Sequence, residues 1–123
     1  MNIHDFFGGF FAELAVKGLK RIKYVPRDFD QRLDESLGCI DRDVLSFRVK
    51  RHTVTGESQT IKEGIASALA KELIELEKDK IIIKLTPKQG QDMLGGMFDE
   101  RLPIRVAEDF YQKIEDELEK IDI

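Results

Sequence analysis

Four phenylalanines within six residues, Phe6, Phe7, Phe10 and Phe11, are the feature that most limits how this chain can fold. Together with Ile3, Leu14, Ala15, Gly18, Leu19 and Ile22 they follow the i, i+3, i+4, i+7 series of a single helical face. The spacing predicts a helix from about Ile3 to about Leu19. Asn2 is placed to cap it, and Asp5 sets a negative charge against the positive end of the helix dipole. Gly8 and Gly9 fall on the opposite face, where each costs about 1 kcal/mol relative to alanine. The helix therefore forms only if its phenylalanine face is covered, and a hydrophobic core is the simplest cover; a membrane surface or a partner is the other.

The rest of the chain offers elements to do this. Both helical and strand periods fit Arg21 to Val25, so the first helix either continues or yields to a short strand before Pro26. Asp28 is a plausible cap for a short helix carrying Phe29, Leu33 and Leu37, stopped by Gly38. Leu45, Phe47 and Val49 then alternate with Ser46, Arg48 and Lys50, the period of a half-buried strand. Thr53 to Thr60, containing Gly56, reads as a loop. Thr60 and Glu63 have capping-box spacing, and Ile61, Ile65, Ala68, Leu69, Leu73 and Leu76 predict a central helix running to Asp79-Lys80.

Ile81 to Leu85 is short and β-branched, as a central strand buried on both faces would be. From Thr86 to Asp99, capping-box spacing at Thr86 and Gln89 and the apolar Met93, Leu94, Met97 and Phe98 compete with Gly90, Gly95 and Gly96, leaving helix and ordered loop both open. Pro103 suits the first turn of a last helix with a nearly heptad stripe through Ile104, Ala107, Tyr111, Ile114, Leu118 and Ile121. The expected fold is α+β, a small and mainly antiparallel sheet packed with three amphipathic helices, N-terminal, central and C-terminal.

At 123 residues the chain is sized for a single domain spanning 1–123. No apolar run approaches the roughly 20 residues of a membrane span, and no leader pattern opens the sequence. One cysteine, Cys39, cannot close an intrachain disulfide, so a cytoplasmic setting is expected.

Charge divides the sequence. Residues 1–62 hold 11 basic and 9 acidic side chains, residues 63–123 hold 9 and 15, and the whole carries −4. Lys17, Lys20, Arg21, Lys23 and Arg27 form one basic cluster and Arg48, Lys50 and Arg51 another, while Glu108 to Asp122 is an acidic tail. A net-negative chain lacks the broad basic surface that neutralises phosphates, which disfavours duplex nucleic acid. Small anions and acidic protein surfaces fit better.

No motif names a reaction. Six carboxylates from Asp28 to Asp43 suggest a metal, yet a calcium loop begun at Asp28 meets Arg32, Leu33 and Cys39 where an oxygen ligand, glycine and glutamate belong. Asp41 and Asp43 are all that remains for a metal-dependent enzyme, and a solvated acidic loop explains them as well. Cys39 with His52 is too little for a nucleophile and base, and a small buried cysteine is the simpler reading. His4 belongs on a solvated helix face. Gly90 and Gly95 have P-loop spacing, but Gly96 and Met97 stand where lysine and serine or threonine must be, and G-x-G-x-x-G and G-x-S-x-G do not occur. No catalytic residue, metal ligand or cofactor is assigned.

The sharper lead is the basic strand. On a strand Arg48, Lys50 and His52 share one face at intervals of about 7 Å, with Arg51 beside them, a set able to hold phosphate or carboxylate. The plain alternative is a solvent edge kept from aggregating by its charges. Two functions follow: a non-enzymatic interaction or regulatory protein, homo-oligomeric and presenting a helix face or its acidic tail to a protein partner, or a binding protein for a phosphate-bearing ligand such as a nucleotide through Arg48, Lys50, Arg51 and His52. Self-association is expected if the helices carry more apolar face than the sheet covers.

Overall fold

The structure, a computed structural model, describes residues 1–96 and 101–121, with side chains as far as Ile114. Met97 and Phe98, the side chains of Leu118 and Ile121, and most of the acidic tail lie outside the described residues. The fold is α+β, with five α-helices and a three-stranded antiparallel sheet among the described residues.

Helix α1 spans Ile3–Val16, and the Asn2 side chain accepts from the Asp5 amide at 2.8 Å, as the sequence implies. It stops short of Leu19 because Gly18, at φ +83°, closes a Schellman turn: the Gly18 amide donates to Ala15 and the Leu19 amide to Leu14. Its surroundings differ from the expectation of one covered face. Phe6 through Ala15 are all buried, Gly8 and Gly9 included, because α1 is packed by helices α3 (Gln59–Ala70), α4 (Pro87–Gly95) and α5 (Leu102–Ile121) and not laid on a sheet. Two close approaches make this enclosure tight. A Cβ on Gly64 of α3 would lie 2.2 Å from the Phe7 ring, and one on Gly90 of α4 would lie 2.5 Å from the Ala12 carbonyl oxygen.

After α1 the chain forms strand β1 (Arg21–Lys23), then helix α2 (Pro26–Ser36) with Pro26 in its first turn. Helix α3 starts at the Ser58 cap, not at a Thr60 box: the Ser58 hydroxyl accepts from the Ile61 amide at 3.2 Å. It also ends far earlier than Asp79. Glu72, at φ +60°, takes the left-handed position of a second Schellman turn, with Glu72 N–H to Leu69 and Leu73 N–H to Ala68. The following residues form β2 (Ile74–Glu77) and β3 (Lys80–Ile83), joined through Lys78-Asp79.

The sheet order is β1-β3-β2, so the isoleucine strand is central as expected. Ile22, Ile74, Ile81 and Ile83 turn into the core, whereas Ile82 is only half-buried on the outer face, alongside Arg21 and Glu75 in register. Thr86 and Gln89 make both hydrogen bonds of the capping box, which settles 87–95 as helix. The buried face of α5 is Val106, Ala107, Phe110 and Ile114, rotated from the expected stripe, since Ile104 and Tyr111 are half-buried. Phe110 completes an aromatic column, its ring 5.3 Å from both Phe10 and Phe29.

The expected strand over Leu45–Lys50 does not form. A 3₁₀ turn at Arg42–Val44 leads into a bend over 45–47, and the chain then runs, with no neighbouring strand among the described residues, to an isolated bridge between Arg51 and Ser58. The alternation is nevertheless physical. Leu45, Phe47 and Val49 are half-buried against the core, with the Phe47 ring 5.5 Å from Phe6, while Ser46, Arg48 and Lys50 face solvent.

Candidate binding groove at residues 42–50

Asp34 on α2 organises this segment. One carboxylate oxygen pairs with Arg42 Nη1 at 2.9 Å and the other with Arg51 Nε at 3.1 Å, and Arg42 Nη2 donates to the Asp34 carbonyl at 2.6 Å. Two cations that flank the segment are thereby fixed to one turn of a helix. One helical turn earlier, Asp30 accepts from the Ser58 amide at 2.7 Å and secures the return of the loop.

Between these anchors Leu37, Arg42, Leu45, Phe47, Arg48, Val49 and Lys50 line a groove of about 280 Å³. Arg48 and Lys50 are exposed and make no ion pair among the described residues. The amides of Phe47, Arg48, Val49 and Lys50 also find no acceptor there. The groove thus combines an apolar floor, two uncommitted cations and main chain free to bond. An anionic group with an adjoining apolar portion matches that chemistry.

The four residues singled out in the sequence therefore separate into two kinds. Arg48 and Lys50 line the groove together. Arg51 is committed to Asp34, and His52 is a turn residue whose Nδ1 accepts from the Val54 and Thr55 amides at 3.1 and 3.3 Å. Arg42 belongs to the groove and escaped notice because Asp41 and Asp43 flank it in sequence, so its charge reads as locally cancelled.

The other candidates disperse. The Asp41 side chain caps its own turn by accepting from Asp43 N–H at 3.0 Å, and among the described residues no three His, Cys, Asp or Glu side chains gather as a metal site would require. Cys39 is exposed, not buried, and desolvation by its neighbours together with Asp109 holds its thiol above the usual range, away from the reactive thiolate. His4 Nδ1 lies 2.7 Å from Ser67 Oγ and joins α1 to α3. The Lys17 ammonium stands over the Tyr111 ring, 5.7 Å from its centre. Lys20 and Arg21 join Lys84 around a second groove of about 540 Å³ beside β1 and β3, which also contains Glu77.

Two buried carboxyls lie outside the groove. Burial pushes Asp30 up to about 6, against the opposing Ser58 hydrogen bond, and raises Glu13 on α1. Burial, then Asp30 and Glu57, push Tyr24 up to about 12. No family model, no curated protein and no solved structure matches this chain.

Proposed function

We propose that this chain is a non-enzymatic interaction protein that binds an acidic segment of a protein partner in the groove at residues 42–50. The observation that carries the reading is the pairing of Arg48 and Lys50, neither engaged in an ion pair among the described residues, with an apolar floor and unbonded main chain. The larger groove at Lys20, Arg21 and Lys84 is the weaker candidate, because its strands are already paired to each other and Glu77 opposes its charge. Self-association belongs to the same reading. Helix α1 does not support it, being enclosed within one chain, and the described part of the α5 stripe, with Ala107 and Ile114 buried, packs in the same core; light scattering at micromolar protein tests it, at least twice 14.2 kDa being the expected result.

A phosphate-bearing ligand is the second reading, favoured by the same two cations; Arg42 beside them is, like Arg51, engaged by Asp34. Anisotropy of a labelled peptide alternating glutamate and valine, run beside thermal shift with a nucleotide panel, separates the two. The protein-partner reading expects the peptide to bind with a salt-sensitive affinity and Arg48→Gln/Lys50→Gln to weaken it about tenfold while leaving the melting temperature unchanged. Binding of nucleotides but not of the peptide transfers the assignment to the phosphate ligand. If the double variant binds the peptide as well as the parent does, the groove is not the site.

A further inference from the structure

Resting on the protein-partner reading, we infer that the acidic segment binds in extended form and adds as a strand alongside Phe47–Lys50. The chain here has the in-and-out alternation of a strand from Leu45 to His52, without the ladder that normally accompanies it. Pairing exists just before and just after. The Met1 ammonium donates to the Val44 carbonyl at 2.9 Å and the Ser46 amide to the Met1 carbonyl at 2.9 Å, while the His52 amide donates to Glu57 at 2.7 Å. Four consecutive amides between these two points are left without an acceptor among the described residues.

Both ends of the stretch are held by structure already described, Arg42 and Arg51 by Asp34 and the Met1 contacts ahead of Phe47. A segment fixed at its ends loses little freedom when a partner strand arrives, which is the condition under which main-chain pairing supplies affinity. The alternation defines the partner's sequence chemistry. Residues facing outward beside Arg48 and Lys50 are acidic at i and i+2; the intervening residues face Leu45, Phe47 and Val49 and are apolar, β-branched ones suiting a pleated surface best.

A second copy of the same stretch is a poor occupant. Antiparallel pairing of 47–50 with itself sets Arg48 and Lys50 against Arg48 and Lys50, and like charges directly opposite one another repel. The same two charges thus reject self-pairing and select an acidic strand.

The test uses the alternating glutamate–valine heptapeptide, the same peptide N-methylated at its valines or at its glutamates, and polyglutamate as a control for charge alone. Successive amides of a strand point to opposite edges, so strand addition expects exchange at one alternating pair, Arg48 with Lys50 or Phe47 with Val49, to slow at least about tenfold in the bound state, one of the two N-methylated peptides to bind at least about tenfold more weakly, and polyglutamate to bind more weakly than the alternating peptide. Binding that requires Arg48 and Lys50 but leaves exchange at both pairs unchanged, or that tolerates N-methylation at both sets of residues, overturns strand addition and leaves the interaction reading standing. If no acidic probe binds more tightly than about 1 mM, both fall.

Discussion

The substitution Asp30→Asn should change how the stability of this protein depends on pH. Asp30 is fully buried on α2; one carboxylate oxygen accepts from Ser58 and the other has no partner among the described residues. Burial dominates its environment and, with Glu57, outweighs the Ser58 hydrogen bond and the Lys62 and Arg51 charges, so its pKa rises from 3.8 to about 6. The folded protein holds this proton more tightly than the unfolded chain. Stability from this group is therefore fully present below pH 3.8 and is lost as pH rises through about 6. A shift of two units corresponds to about 3 kcal/mol at most. The asparagine side chain keeps an oxygen for the Ser58 amide but does not ionise. Its NH₂ group leaves a buried donor to satisfy, a pH-independent offset of about 1–3 kcal/mol. Urea unfolding of parent and variant from pH 4 to 7.5 should show the difference moving in favour of the variant by up to about 3 kcal/mol, most of it between pH 4 and 6.5, with unchanged m values. Subtracting the two curves removes Glu13, which is also raised, and Asp109, which the Lys113 contact at 2.9 Å holds low. A difference constant to within about 0.5 kcal/mol across that range would refute the argument.

Phe7→Ala should cost about 3 to 5 kcal/mol in chemical denaturation, since the ring is fully buried against Gly64; a loss below about 1 kcal/mol would place α1 outside the core. Gly90→Ala and Gly95→Ala should have opposite signs: the first forces a methyl against the Ala12 carbonyl and destabilises by about 1 kcal/mol or more, whereas among the described residues nothing lies within 4 Å of a Cβ at Gly95, so the second gains up to about 1 kcal/mol. Glu72→Gly should raise the melting temperature, because glycine accepts φ +60° without the crowding that costs a side chain about 1 kcal/mol; an unchanged or lower midpoint would count against strain at that turn.

The contrast between Gly18 and Glu72 shows what is legible in the sequence. Both occupy the same left-handed position in the same kind of turn; Gly18 falls within the apolar series of α1, which misplaces that end by only a few residues, whereas Glu72 carries no stop signal at all, so the apolar series from Ile61 to Leu76 reads as one helix and conceals β2. The capping box at Thr86 was readable because both its partners are local, and β3 because its run of isoleucines is β-branched, although only Ile81 and Ile83 are buried and the outer face at Ile82 is not. Gly8 and Gly9 misled for a packing reason: helices cover α1 on more than one side, so a face without large apolar residues is buried as well, and the close approaches that allow it are at Gly64 and Gly90 of the neighbouring helices. In the groove, alternation at 45–50 correctly reported which side chains touch the core, but period two carries no information about hydrogen-bond partners. The pairing of Arg51 with Asp34 was not legible because the two lie 17 residues apart, beyond the range of local pattern.

Asp30 and Asp34, one helical turn apart on α2, hold the two sides of the excursion between α2 and α3. A loop stapled in this way transmits little of its own variation to the body it leaves. Its tip, where Val54 is 79% exposed, could be lengthened at an entropic cost of only about 0.6 kcal/mol per doubling of the loop. Cleavage at that tip should likewise leave two fragments that remain associated. The segment that carries the groove is in effect a cassette on a closed frame, open to re-engineering without reopening the question of how the frame folds.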